Sequence, residues 1–356
     1  MKRFFRGVGR TLTVILLTVL MVVILALGAL GVVAWGPSAE WQRRFVSTFD
    51  ETSALKFVPR LYLPRDKVES ILHPVFDDEP DAAPDTFTEL PFEDGTMAPD
   101  VTGDGPVQVV IAEPPAENAS SDEWLEIVNI KGSTYKGKLM IIRDPSKVIV
   151  GTLENYGPAY HGMYLYEFID KYQAIGGTNA GGFYDPNGGG NGGTPDGLVI
   201  RNGQIAWGDP YTWYINVIGF DADHILHVGD MYGHQALDLN LQSAVSFSPG
   251  PVLVKDGVCM SNELKNKLGG GNNPRTCIGQ RADGAILLMV IEGRKPDSLG
   301  ATYDDIAWIM YEYGAVNAAN LDGGSSSQMY YNGEQITRGS NLIGMRQMAD
   351  AILVLN

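Results

Sequence analysis

Four short clusters in this 356-residue chain combine carboxylates, arginines, hydroxyls and glycines in ways that could act on a sugar or an anion. In residues 317–327 (NAANLDGGSSS) a small apolar strand runs into a polar turn holding Asn320, Asp322, Gly323, Gly324 and Ser325. Backbone amides after Asp322 can form an anion nest, with the serine hydroxyls as further donors. An Asx-turn between two strands is the plainer alternative. Residues 176–183 (GGTNAGGF) place Asn179 among glycines that let a backbone approach a ligand closely, although a mobile loop has the same composition. Arg275, at the start of RTCIG, could present its planar fork to a phosphate, or make an ordinary ion pair. Glu292 and Arg294 close an apolar run over 286–291. With a period of two they share a face if the strand extends that far, which suits acid–base work on a phosphorylated or glycosidic substrate, or a salt bridge. Asp185, Asn187 and Asp196 are oxygen ligands in a glycine-rich loop that could hold Ca²⁺, without the EF-hand spacing.

Positioning these residues takes a packed domain, and the pattern beyond about Val107 has that character. Short β-rich runs are punctuated by hairpin signals at Asn202-Gly203, Asp256-Gly257, Asp283-Gly284 and Asn332-Gly333. Two helices stand out. One spans about 164–172. The other begins at Thr302, which pairs with Asp305 as a capping box, places Ile306, Ile309, Met310 and Tyr313 on one face, and stops at Gly314. Many strands with few helices predict an α+β domain on a mixed β-sheet.

Ahead of that domain the chain changes character twice. Lys2, Arg3, Arg6 and Arg10 precede residues 11–35, which carry no charged side chain. A helix of that length spans the ~30 Å hydrocarbon core, and the basic flank sets the N-terminus in the cytoplasm. A cleaved signal peptide is the competing reading, but its apolar stretch is usually only about 7–15 residues. The expectation is a single-pass anchor in the cell membrane: tail 1–10, span 11–35, an extracellular stalk over 36–106, and a working domain over 107–356. Within the stalk, residues 66–72 could form a short helix. From residue 74 it is acidic and Pro-rich, with ten Asp or Glu and no Lys or Arg up to residue 105, a composition that favours a solvated linker. The net charge of −16 argues against a nucleic-acid partner. The five histidines have no HExxH-type spacing, and two cysteines exclude a Cys-rich zinc site. Outside the membrane Cys259 and Cys277 could form a disulfide, or stay as two buried thiols.

The NLDGGSSS run resembles the signature of the phosphodiester glycosidase family, asparagine-x-aspartate-glycine-glycine-x-serine. Three further blocks similar to that family's follow the same order: NAGGF with an inserted Ala180, RTCIG from Arg275, and Glu292-Gly293-Arg294 with Glu where Asp is usual. The resemblance covers roughly residue 126 onward. It implies hydrolysis of a sugar-1-phosphodiester, with Asp322 and Glu292 as catalytic carboxylates. It also implies that Arg275, Arg294, Ser325 and the amides of Gly323 and Gly324 hold the phosphate, while Asn179 and Asn320 bind sugar hydroxyls. No cofactor is required for that chemistry. A surface or secreted glycopolymer is the expected substrate. The alternative is a non-catalytic protein that binds surface polysaccharide or assists exopolysaccharide assembly.

Overall fold

The computed structural model describes residues 2–36, 38–50, 55–72, 124–248, 250–260, 271–340 and 344–356. The chain divides into two units, Met1–Asp77 and Asp78–Asn356.

The first unit is helical. Lys2–Ala34 is one helix, and its Thr13–Ala34 part is long and apolar enough to cross a membrane. Residues from 36 to 72, assigned by the sequence to a stalk, contain three further helices, Ala39–Asp50, Pro59–Tyr62 and Arg65–Leu72. Ala34, Phe45, Val46, Val58, Leu63 and Val68 bury a small apolar cluster among them. The Tyr62 hydroxyl donates to the Leu27 carbonyl and the Trp41 indole to that of Val33, which ties these helices to the long one. The acidic, Pro-rich stretch from residue 74 lies outside the described residues.

The second unit is the sheet-rich α+β domain with few helices. A seven-stranded sheet runs in the order Leu125–Lys131, Lys136–Ile142, Ile286–Glu292, Arg275–Arg281, Ala315–Asn320, Val252–Lys255, Val258–Cys259. A first five-stranded sheet runs Glu334–Gln335, Met329–Tyr331, Ala174–Asn179, Asp350–Leu355, Val148–Thr152. A second runs Gln204–Trp207, Val199–Arg201, Leu241–Ser246, Tyr214–Asp221, Leu226–Tyr232. Every recorded pairing within these sheets is antiparallel.

The large sheet is covered on both faces. Leu287, Met289 and Ile291 pack towards the Tyr303–Glu312 helix, while Ile286, Leu288 and Val290 pack towards strands of the other two sheets. That two-sided burial explains why 286–291 reads as a continuous apolar run: each alternate side chain gains about 1.5–3 kcal/mol of burial on its own face. Thr302 and Asp305 form the expected capping box: the Thr302 hydroxyl accepts the Asp305 N–H at 3.2 Å, and Asp305 Oδ2 accepts the Thr302 N–H at 2.8 Å. Gly314 ends that helix in the left-handed region, at φ +81°. Cys259 and Cys277 sit buried in the cluster beneath this helix and are not joined, so the disulfide left open by the sequence is not formed.

Candidate active site

The three sheets bring strand ends together where residues 179–182, 246, 320–322 and 350 meet. Asp322 follows the Ala315–Asn320 strand, and its N–H donates to the Ala180 carbonyl at 2.9 Å. Asp350 heads the Asp350–Leu355 strand and is buried. Its Oδ1 accepts the Gly181 N–H at 2.6 Å, whereas its Oδ2 has no hydrogen-bond partner among the described residues. Asp196 stands in the loop before the second five-stranded sheet, where its N–H donates to the Gly182 carbonyl at 3.1 Å.

The glycine pair in NAGGF has a steric cause. A Cβ on Gly181 would lie 2.7 Å from the Ser246 carbonyl oxygen and 3.0 Å from Asp350 Oδ1. One on Gly182 would lie 2.3 Å from Asp196 Oδ2. Only glycine at both positions lets the two carboxylates close on this backbone.

Three carboxyls here depart strongly from the ordinary carboxylate range near 4. Burial, then repulsion from Asp196 and Asp322, pushes Asp350 up to about 8, against the pull of the Gly181 N–H. Burial pushes Asp322 up to about 7, with Asp185 adding and Ser326, Arg346 and the Gly323 N–H opposing. Asp196 is reached by solvent yet crowded by protein, and that crowding plus the Asp322 charge pushes it up to about 7. Of the three, Asp196 is exposed, Asp322 is partly buried and Asp350 is buried.

Two guanidiniums flank the 322–326 turn. Arg346 gives Asp185 a two-pronged ion pair at 2.7 and 3.0 Å, lies 3.4 Å from Ser325 Oγ, and packs over the Phe183 ring at 5.2 Å. Arg294 lies beside Gly324, 3.2 Å from where a Cβ would stand, and donates to Asn273 Oδ1 at 3.3 Å. With Asp322 and Ser325 these groups bring acid, base and anion-binding functions together around one turn.

Several expected site residues have other work. Glu292 is buried and accepts the Arg338 N–H at 2.8 Å and its guanidinium at 2.6 Å, so its carboxylate is committed to an ion pair. It does not share a face with Arg294, because the strand ends at Glu292 and Arg294 turns into the left-handed region at φ +57°. Arg275 is buried, donates to the carbonyls of Gly271 and Ala301, and stacks over Tyr303 at 4.1 Å, which leaves it a packing role rather than a phosphate contact. Asn179 and Asn320 are also buried: Asn179 bonds to Asp322, Thr276 and Gln328, and Asn320 donates to the Gly250 and Leu321 carbonyls. The Gly324 N–H is taken by the Pro274 carbonyl, and that of Gly323 faces the Asp322 carboxylate. As for Ca²⁺, Asp185 spends both oxygens on Arg346, and the Asn187 side chain lies outside the described atoms. Among the described residues no group of three or more His, Cys, Asp or Glu is arranged to hold a metal ion.

Sequence reasoning weighed Asp196 only as a metal ligand and missed Asp350 and Arg346. The available signal for Asp350 was a lone carboxylate heading the fully apolar run AILVL.

The family model described as phosphodiester glycosidase matches residues 172–355. The SPbeta prophage-derived uncharacterized protein YomE of Bacillus subtilis (strain 168) is 31% identical over 129 residues, 35% of this chain and only 20% of that relative's length. Among solved structures, the zebrafish N-acetylglucosamine-1-phosphodiester alpha-N-acetylglucosaminidase catalytic domain, auto-inhibited by its pro-peptide, shares the fold. Its TM-score is 0.53 at 21% identity, covering 67% of this chain and 85% of that one.

Proposed function

The chain belongs to the phosphodiester glycosidase family, and on that premise we propose that it hydrolyses the bond between a sugar's anomeric carbon and a phosphodiester. The products are a free sugar and a phosphomonoester. The observation that carries this reading is a pair of carboxyls, exposed Asp196 and partly buried Asp322, both pushed up to about 7 beside a turn flanked by two arginines.

The chemistry follows from charge. Asp196 and Asp322 oppose each other's ionisation, so near neutrality one holds a proton while the other is charged. As the C1–O bond breaks, its electrons pass to the phosphate oxygen and positive charge gathers on the sugar ring. The charged carboxylate stabilises that ring, and the protonated one donates to the departing oxygen. Water then bonds to C1 and gives its proton to a carboxylate. Arg294, Arg346 and Ser325 bind the phosphate; Arg346 is held in place by Asp185. Asp350 reaches no substrate and acts by holding a proton behind the pair. Because the chain is net negative, these local arginines rather than the long-range field must attract the anion.

The address is part of the proposal. The Thr13–Ala34 segment anchors the protein in the cell membrane with its basic N-terminus in the cytoplasm and the sheet domain outside, facing surface or secreted glycopolymers.

The test is sugar release by the full chain in detergent micelles from a panel of sugar-1-phosphate methyl esters. Free sugar should appear, with Asp196→Asn and Asp322→Asn each losing about 100-fold or more in kcat. Glycan affinity with no release from any ester would overturn the proposal in favour of a binding protein.

A further inference from the structure

Beside the site lies a run of accessible aromatic rings for which hydrolysis has no use. Tyr211 and His234 stack with centroids 5.4 Å apart and planes 18° apart. His234 also lies near-parallel to Tyr232, at 5.5 Å and 21°, and Tyr232 tilts against Tyr214 at 5.1 Å. Trp213 belongs to the same turn and is exposed, as are Tyr214 and Tyr211, the last by 72%. The platform is rigidly built. Asp209 Oδ1 accepts the N–H groups of Tyr211 and Thr212 at 2.8 and 3.1 Å. The His234 N–H donates to the Pro210 carbonyl at 2.9 Å, and Tyr214 faces Tyr232 across paired strands.

This platform packs against the segment that carries Asp196. The Trp207 indole donates to the carbonyl of Pro195, the residue before Asp196. Leu198, two residues after Asp196, fills the space that a Cβ on Gly208 or Gly233 would enter, 3.1 Å away in each case, and the Trp213 ring closes on the same Gly208 position. The segment carrying the platform is acidic: residues 202–234 contain four Asp and no Lys or Arg, although Lys255 Nζ reaches it at Gly229, 3.4 Å from where a Cβ would stand.

We propose that this aromatic platform binds uncharged pyranose rings of the substrate's glycan, so that the site takes a sugar chain rather than a lone sugar phosphate; this rests on the sugar-phosphodiester reading above. A pyranose presents a face of weakly positive C–H groups, which suits the negative π faces of Tyr211, Trp213 and Tyr214. Asp209 and exposed Asp230 supply acceptors for sugar hydroxyls. A segment with four carboxylates and no cation of its own disfavours phosphates and nucleotides, which leaves the neutral portion of the polymer as the partner. Packing against the Asp196 segment sets the polarity: the phosphodiester lies at the carboxyl pair and the neutral rings extend along the platform.

The experiment titrates the full chain in detergent micelles with chitohexaose, maltohexaose and cellohexaose, read by calorimetry and tryptophan fluorescence. Saturable binding of at least one hexasaccharide is expected. It should weaken about tenfold or more in Tyr211→Ala and Trp213→Ala, and Tyr211→Phe, which keeps the ring, should restore it. Absence of saturable binding to all three, or binding unchanged in the Tyr211→Ala/Trp213→Ala double variant, overturns the proposal. Binding is read without turnover, so the hydrolytic reading can fail, with no ester cleaved, while hexasaccharide binding persists.

Discussion

Asn179 holds Asp322 by its main chain: Asn179 Nδ2 donates to the Asp322 carbonyl at 2.5 Å, across 143 positions of sequence. Its Oδ1 accepts the Thr276 hydroxyl at 2.8 Å and the Gln328 N–H at 3.2 Å, so one amide joins three segments around the turn. Asn179→Ala leaves three buried polar groups without their partner. We expect a loss of about 2–4 kcal/mol in unfolding free energy, together with a kcat at least about tenfold lower as the turn relaxes. Denaturant titration and steady-state kinetics read the two effects separately.

The raised carboxyls make stability depend on pH in an unusual direction. In the unfolded chain Asp350, Asp196 and Asp322 lose their protons near pH 4, while the folded chain keeps them to about 8, 7 and 7. The native state therefore binds more protons between these limits, and stability falls as pH climbs from about 4 to 8, by up to ~1.4 kcal/mol per pH unit for the proton on buried Asp350 and by less for partly buried Asp322 and exposed Asp196, which water screens. Asp350→Asn keeps an acceptor for the Gly181 N–H and cannot ionise. It should flatten the slope of Tm against pH between 5 and 8 and raise Tm at pH 8. An unchanged slope would remove Asp350 as its source.

Glu292 and Asp196 should separate cleanly in kinetics. Glu292→Gln disturbs the Arg338 ion pair and should cost stability of about 1–3 kcal/mol while leaving kcat within about threefold. Asp196→Asn should do the reverse, with Tm preserved or raised and kcat lower by about 100-fold. Equal kinetic losses in the two variants would return Glu292 to the catalytic set.

Because Cys259 and Cys277 are buried thiols, a thiol reagent should label neither in the folded protein and both after denaturation. Reductant should leave Tm unchanged.

Local features were legible wherever a short stretch decides its own conformation. Asn202, Asp256 and Asn332 all take positive φ ahead of their glycines, as the hairpin signals require. Thr302, Asp305 and Gly314 bound their helix for equally local reasons. Asp322 stood out because its turn is written in consecutive residues. Asp350 and Arg346 did not, since their importance comes from partners at Gly181 and Asp185, 169 and 161 positions away. The Glu292–Arg294 pairing failed for a related reason: alternation holds only while a strand lasts, and Glu292 found its cation 46 positions on, at Arg338. The resemblance marked the motif blocks, within which Asn179 bonds the turn at Asp322 while Arg275 is buried against Gly271, Ala301 and Tyr303.

The Asp350–Leu355 strand lies between Ala174–Asn179 and Val148–Thr152, so it closes the sheet that carries Asn179. Until it docks, Gly181 has no carboxylate to bind and the strand end bearing Asn179 has an open edge. The support behind the 179–182 segment is thus a product of long-range assembly, complete only once the last strand is in place.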